Sequence, residues 1–408
     1  MLPSYQDYCL SSVPNTVLSL FGCKTSRPTI PRGAIQADGE QQNVVLFVAD
    51  GLGYFDVKEQ LRDGKLFQAA EANGSLLPIT TVFPSTTAAA LTTISTGLTP
   101  QEHCLPEWFV YMKEVEKVIV TLQFSAVGEK GRDSLLGQMS PRSLFSGPTI
   151  NPALRRKGVD VVCFVSGGLV RTVYSKLSHA SSEMVPYITS SDLFASLRRR
   201  IEKARRPTFF YVYWSDVDTI GHAYGPATDE SASEVSLLSH LVKTELVDRL
   251  SAAAAKRTTL ILTADHGQIR VDPKSVTYLN KLTPVVRSLQ TSPSGRRIPP
   301  WGSARDMYLA VVDERLSQVR SYLAGELGRK AVVLRTKEGI DARLFGINKP
   351  RPKFLDRVGN LMVLPRKRNL VWYRYSREDR FDLRGHHGGM HPREMLIPLV
   401  VSMVSGLR

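Results

Sequence analysis

Cysteine is scarce in this chain: Cys9, Cys23, Cys104 and Cys163 are the only four among 408 residues. No two stand in a CxxC spacing, which excludes a thiolate metal cage, and four are too few for a disulfide framework. Long apolar runs are missing too, and none approaches the roughly 18 residues that a membrane-spanning helix needs. No Lys or Arg precedes the short apolar stretch at 17–21, and Asp7 stands where the positive region of a secretory leader belongs, so no such leader is expected. Internal repeats and low-complexity tracts are absent. So are zinc-finger spacings and aromatic RNA-binding signatures, which leaves a basic nucleic-acid-binding protein as a remote alternative. These absences lead to the expectation of a cytoplasmic protein with reduced thiols, without a membrane partner or a sequence-specific nucleic-acid partner.

What is present begins with charge. Lys and Arg total 53 against 38 Asp and Glu, a net +15, which calls for an anionic partner. The excess is concentrated: between Arg343 and Arg384 stand 12 basic residues and four acids. We expect this stretch to steer and clamp an anion, with the interleaved Trp372, Tyr373 and Tyr375 available to stack a base.

Near-continuous apolar runs at 43–49, 160–165, 208–214, 259–263 and 395–401 read as strands buried on both faces of a mostly parallel sheet. Helical segments such as 191–204 separate them, which predicts a doubly wound α/β fold. After Gly267 the texture shifts to Pro and Arg. Strand-like pieces at 307–312 and 331–334 flank a helical 315–327 there, and core-like sequence resumes at Gly385. The expected organisation is an N-terminal arm at 1–40, a catalytic core at 41–270 and 385–408, and an inserted smaller α+β cap at 271–384.

Side chains that do chemistry in open parallel sheets gather at the carboxyl ends of the strands. Here those ends carry Asp and His repeatedly: Asp50, then Asp218 and His222, then Asp265 and His266, with His386 and His387 ahead of the last strand. Asp218 and His222 are four apart, but Gly221 and Pro226 disfavour a long helix and suggest a looped pair. Three Asp and three His, counting one of the adjacent His386-His387 pair, exceed what one tetrahedral ion can use and suit two divalent metals, zinc first and manganese or iron less well. A nucleophile is offered at 83–98, where Ser85, Thr86 and Thr87 precede an Ala-rich helix. Its N-terminus would favour a phosphoryl group.

The ordered segments VADG (48–51), FPSTTAAALTTISTGLTPQEH (83–103), DVDTIGHAYGP (216–226), TADHG (263–267) and HHGGMHPREMLIP (386–398) resemble the type I phosphodiesterase/nucleotide pyrophosphatase family of the alkaline phosphatase superfamily. The resemblance implies an alkaline-phosphatase-like fold. It assigns Asp218, His222 and His387 to one metal, and Asp50, Asp265, His266 and the Thr87 oxygen to the other. Thr87 is preferred as the catalytic nucleophile because it lies nine residues before Thr96 of the Thr96-Gly97-Leu98 signature, and His387 because it directly precedes a glycine. The implied activity is hydrolysis of a small phosphate diester or diphosphate, with a nucleotide as one candidate substrate, through a phospho- or nucleotidyl-threonine. Trp108, Tyr111 and His391 are the expected substrate contacts. The asparagine that the family usually carries three positions after the nucleophile is Ala90 here, which keeps a phosphomonoesterase, phosphonate hydrolase or mutase as the alternative.

Overall fold

The protein is described from a computed structural model covering residues 1–36, 42–61 and 65–408; the expected arm–core boundary at 40/41 lies outside the described residues. The Val-rich run forms β1 (Asn43–Ala49), buried at every position, at the centre of a seven-stranded sheet. The other strands are β2 (Leu76–Thr80), β3 (Asp160–Ser166), β4 (Glu183–Tyr187), β5 (Thr208–Trp214), β6 (Thr258–Thr263) and β7 (Leu396–Met403), in the spatial order β2-β7-β6-β1-β5-β3-β4. The pairings of β1 with β5 and β6, and of β3 with β4 and β5, are parallel, whereas β7 runs antiparallel to both its neighbours. Helix Ser190–Lys203 covers the sheet with one stripe, Leu193, Phe194, Leu197 and Ile201. That spacing is the helical period of a core-facing surface, and Phe194 stacks on Phe47 at 5.9 Å.

The N-terminal residues do not stand apart from this core. Leu10 donates to the Thr80 carbonyl and Thr80 to that of Tyr8, while Val13 and Val17 of helix Ser12–Leu20 are buried in the main apolar cluster.

The sequence after the sixth strand folds as a smaller α+β layer. Strands Trp301–Ser303, Asp306–Leu309, Leu361–Pro365 and Ala331–Arg335 form an antiparallel sheet in that spatial order. Helix Leu316–Leu327 covers it through Val319, Leu323 and Leu327. This layer has an apolar cluster separate from the one around the large sheet, and a further cluster joins it to Phe83, Cys104, Tyr111 and Val118 of the preceding segment.

A buried ion pair ties the two parts together. Arg305 grips Glu394 through two hydrogen bonds of 3.0 and 2.9 Å, both side chains being essentially inaccessible. The same carboxylate accepts from the backbone N–H groups of Gly389 and His391, so it fixes the loop carrying the paired histidines. Removing one partner strands a buried charge, so Glu394→Ala should cost about 3–5 kcal/mol of stability by denaturant titration. An unchanged midpoint would show that the pair does not hold the loop.

Candidate metal centre

The site forms where several strands end. Ala49 pairs with Trp214 and Val48 with Thr263, so Asp50, the start of helix Asp216–Tyr224 and the Asp265-His266 step emerge side by side. Because β7 runs the other way, it enters the sheet from this edge, which delivers His386 and His387 ahead of their strand.

One cluster joins Asp50, Asp265, His266 and Thr87. His266 Nε2 lies 3.4 Å from Asp50 Oδ1, 3.3 Å from Asp265 Oδ2 and 3.1 Å from Thr87 Oγ1. A second joins Asp218, His222 and His387, with His222 Nε2 and His387 Nε2 at 3.4 and 3.7 Å from the two Asp218 oxygens. The His266 and His387 rings stack at 3.6 Å, so the clusters are contiguous. Each ring is oriented through Nδ1 toward a carbonyl: His222 to Gly385 at 2.8 Å, His387 to Ser85 at 2.9 Å and His266 to Gly267 at 3.2 Å. All three Nε2 atoms are thereby left for the carboxylates.

These residues fit two cations. Four donors about 2.0–2.1 Å from a tetrahedral ion lie about 3.3 Å from one another, close to the separations seen here. Asp50 Oδ1 and Asp265 Oδ2 are buried with no hydrogen-bond partner, a costly state that a cation relieves. Burial, then the neighbouring carboxylates Asp265 and Asp218, hold the Asp50 carboxyl well above the usual range; burial also raises Asp265. His386 and His387 are pushed well below the ordinary imidazole range, by burial first and then by neighbouring histidines, which keeps them neutral as ligands must be.

Asp218 and His222 are not a looped pair. They share one face of the regular helix Asp216–Tyr224. Gly221 does not break it: a Cβ there would meet Gln268 Oε1 at 2.2 Å, so the glycine admits Gln268. Pro226 falls just past the C-cap, Gly225, whose φ is +92°. Gln268 in turn donates to the Asp218 carbonyl at 3.2 Å and to its carboxylate, and Tyr213 donates to Asp50 Oδ2. Sequence reasoning missed both supports; the only cue for Gln268 is its place directly after the Asp-His-Gly turn. His386 was set aside in favour of His387, yet its ring lies 5.7 Å from that of His222, and the two share a three-histidine cluster with His387.

Thr87 opens the ten-residue helix Thr87–Thr96, with Thr86 as its N-cap. Two cavities meet at Thr87, Trp108 and Asp218. The core-side one, about 190 Å³, includes Tyr174, Tyr211, Tyr213 and Arg132; the cap-side one, about 440 Å³, includes Phe109, Trp372 and Phe381. Of the three expected substrate contacts, the structure places Trp108 in both. Tyr111 lines neither, because its ring is buried against Trp301 at 5.8 Å. His391 faces a different cavity with Arg270 and Lys367 and caps the short helix Pro392–Met395. Ala90 is fully buried in the main core and lines neither cavity.

The basic stretch is also placed differently from the expectation. Of its 12 cations only Arg380 lines the cap-side cavity. Arg357 is buried, donating to the carbonyls of Cys104, Leu144 and Ser143. Arg374 lies over the Tyr278 ring, and Arg366, Lys367 and Arg368 are exposed.

The family model described as type I phosphodiesterase / nucleotide pyrophosphatase matches residues 44–390. Venom phosphodiesterase CdcPDE of Crotalus durissus collilineatus is 23% identical over 257 residues, 60% of this chain and 29% of that protein. Human ectonucleotide pyrophosphatase/phosphodiesterase family member 1 is 31% identical over 103 residues, 24% of this chain and 11% of that protein. The chain thus matches less than a third of the length of these curated relatives. Among solved structures, murine ectonucleotide pyrophosphatase/phosphodiesterase 5 superposes with a TM-score of 0.65 at 18% identity over 88% of both chains. An inactive threonine-to-alanine variant of that murine protein has been solved in complex with AMP. Phosphonoacetate hydrolase from Sinorhizobium meliloti 1021 superposes at 0.64 with 16% identity, over 90% of this chain and 92% of that one.

Proposed function

Because the chain belongs to the type I phosphodiesterase/nucleotide pyrophosphatase family, we propose that it is a metal-dependent hydrolase of small phosphate diesters or diphosphates, with Thr87 as its nucleophile. Asp218, His222 and His387 would hold one divalent ion, and Asp50, Asp265, His266 and Thr87 the other. The all-oxygen-and-nitrogen donor set supports zinc. When bound, such ions supply Lewis-acid stabilisation of charge on the attacking and leaving oxygens.

The chain's own groups supply the rest. Thr87 Oγ1 stands at the N-terminus of its helix, where the positive end of the dipole favours the negative phosphoryl group. Attack by Oγ1 on phosphorus forms the O–P bond as the leaving oxygen departs, giving a phospho- or nucleotidyl-threonine. Water entering from the vacated side then breaks that bond and restores the hydroxyl. The histidine and tyrosine contacts keep Asp50, Asp218 and Asp265 in place throughout.

The observation that carries a diester rather than a monoester is the pair of cavities meeting at Thr87, one for each substituent on phosphorus. The AMP complex of the murine protein supports a nucleotide as one such substrate. The four unpaired thiols support a reducing, cytoplasmic location. A panel of dinucleotides, nucleotide sugars, chromogenic diesters and a chromogenic monoester on zinc-loaded protein tests the assignment. Diester turnover should exceed monoester turnover by at least about tenfold, and the reverse order would favour a phosphomonoesterase or phosphonate hydrolase.

A further inference from the structure

The cavity that His391 faces has a volume of about 640 Å³ and shares no lining residue with the two that meet at Thr87. That volume suits a small organic ligand. Segments far apart in the chain form it. The cap supplies Lys367, Arg368 and Asn369, from the turn between strands Leu361–Pro365 and Leu370–Trp372. The core supplies Arg270, just after the Asp-His-Gly turn, and His391 and Arg393 ahead of β7.

The charged groups lining this cavity are all basic: Arg270, Lys367, Arg368 and Arg393. Arg393 is partly neutralised by Asp56 at 3.4 Å and by Glu59. Among the described residues, no carboxylate lines the cavity and none pairs with Arg270, Lys367 or Arg368. His391 Nδ1 accepts from the Arg393 N–H at 3.2 Å, so Nε2 carries the ring proton and is a further donor.

A run of surface Lys and Arg is ordinarily a solvated face, but here both walls are fixed by one buried ion pair. Arg305 Nη1 donates to the Asn369 carbonyl at 2.6 Å, and Glu394, which Arg305 grips, accepts from the His391 N–H at 3.1 Å. The pair therefore sets the cap turn and the core loop at a defined separation. Within the turn, Asn369 Nδ2 donates to the Arg366 carbonyl at 2.8 Å. On the core side the Arg270 stem packs on Gly225, where a Cβ would meet Arg270 Cγ at 3.5 Å.

Cations held on facing walls without carboxylates repel one another, and a multiply charged anion between them removes that repulsion. We infer that this cavity binds a small organic bisphosphate, one phosphate at Lys367 and Arg368 on the cap turn and the other at Arg270 and Arg393 on the core wall. Arginine meets phosphate through paired N–H groups and lysine as a point charge, with the His391 Nε2–H as a neutral donor beside them. Such a ligand bridges cap and core. The site contains neither Thr87 nor a residue of the metal clusters, so it does not depend on the diesterase reading.

Calorimetric titration of the zinc-loaded full chain with fructose 1,6-bisphosphate, and with fructose 6-phosphate as control, tests the site at about 0.15 M ionic strength. The bisphosphate should bind at one site, at least about tenfold tighter than the monophosphate. Arg270→Ala, and Lys367→Ala combined with Arg368→Ala, alter exposed side chains only. Each should weaken the bisphosphate at least about tenfold while turnover of the p-nitrophenyl ester of thymidine 5'-monophosphate stays within about twofold of wild type. Equal affinity for the two sugar phosphates, or binding of neither, overturns the inference and leaves a solvated basic face. So does bisphosphate binding that both variants leave unchanged and that inhibits the thymidine ester competitively, which would put the ligand at the metal centre. Absence of turnover of that ester would remove the diesterase reading, and the titration would still decide the site.

Discussion

Thr87→Ala should reduce turnover of a chromogenic phosphate diester by at least about three orders of magnitude. Among the described residues, Thr87 Oγ1 is the hydroxyl in hydrogen-bond range of His266 Nε2, at 3.1 Å, and it stands where the two cavities meet. Its neighbours Ser85 and Thr86 have other surroundings. Ser85 Oγ donates to the Gly389 carbonyl at 2.8 Å; Thr86 is the helix N-cap by its backbone position, and its buried hydroxyl borders the cap-side cavity without a hydrogen bond to His266. Alanine is at least as good a helix former as threonine, and the Asp50, Asp265 and His266 side chains keep their own supports, so folding and metal content should stay near wild type. Thr87→Ser retains a hydroxyl and should recover part of the rate. If Thr87→Ala turned over the diester at the wild-type rate, Thr87 would not be the nucleophile.

Stripping the metals should have the second largest effect, and it should depend on pH in a defined direction. In the metal-free fold, Asp50 and Asp265 have pKa values raised above those of the unfolded chain by burial and, for Asp50, by mutual repulsion. Such groups add stability below the unfolded pKa, about 4 for Asp, and that contribution is lost as pH rises through the folded values. The metal-free protein should therefore melt at progressively lower temperature as pH is raised above about 5. Metal ions replace those protons, so the rise in Tm on adding zinc should grow over the same range. Free ion at 1,000 times its Kd contributes about 4 kcal/mol. Asp265→Asn should abolish most of this rise, as read by calorimetry with metal analysis. A zinc-independent Tm in the wild type would exclude a resident metal pair.

Much of this centre is legible in one dimension. Asp50, Asp265 and His266 follow predominantly apolar runs, and the change of character marks the strand ends. His387 was legible from its glycine-rich setting, although not the antiparallel strand that brings it in. What was misread depends on neighbours remote in sequence. Gly221 looks like a helix breaker until Gln268 is seen to fill the space a Cβ would take. Tyr111 follows Trp108 by three residues, yet it packs on Trp301. Glu107 and Asp306 lie about 200 residues apart in the chain, and nothing local to either marks them as a buried pair.

The scarcity of cysteine and the run of buried strands determined, from sequence alone, an α/β protein whose candidate site groups are Asp, His and a hydroxyl at a helix N-terminus, because soft thiolate ligands are absent and strand interiors are mostly apolar. Only the tertiary structure decided where the charge goes. The sequence counts Lys and Arg without knowing which way they point. Packing buries Arg357 among carbonyl groups, leaves Arg366, Lys367 and Arg368 exposed away from the cap-side cavity, and lines the cavity that reaches Thr87 with aromatic residues and Glu107. A charged side chain stays in water unless folding supplies it with partners, so net charge fixes how many such groups there are, and the fold fixes which of them the substrate meets.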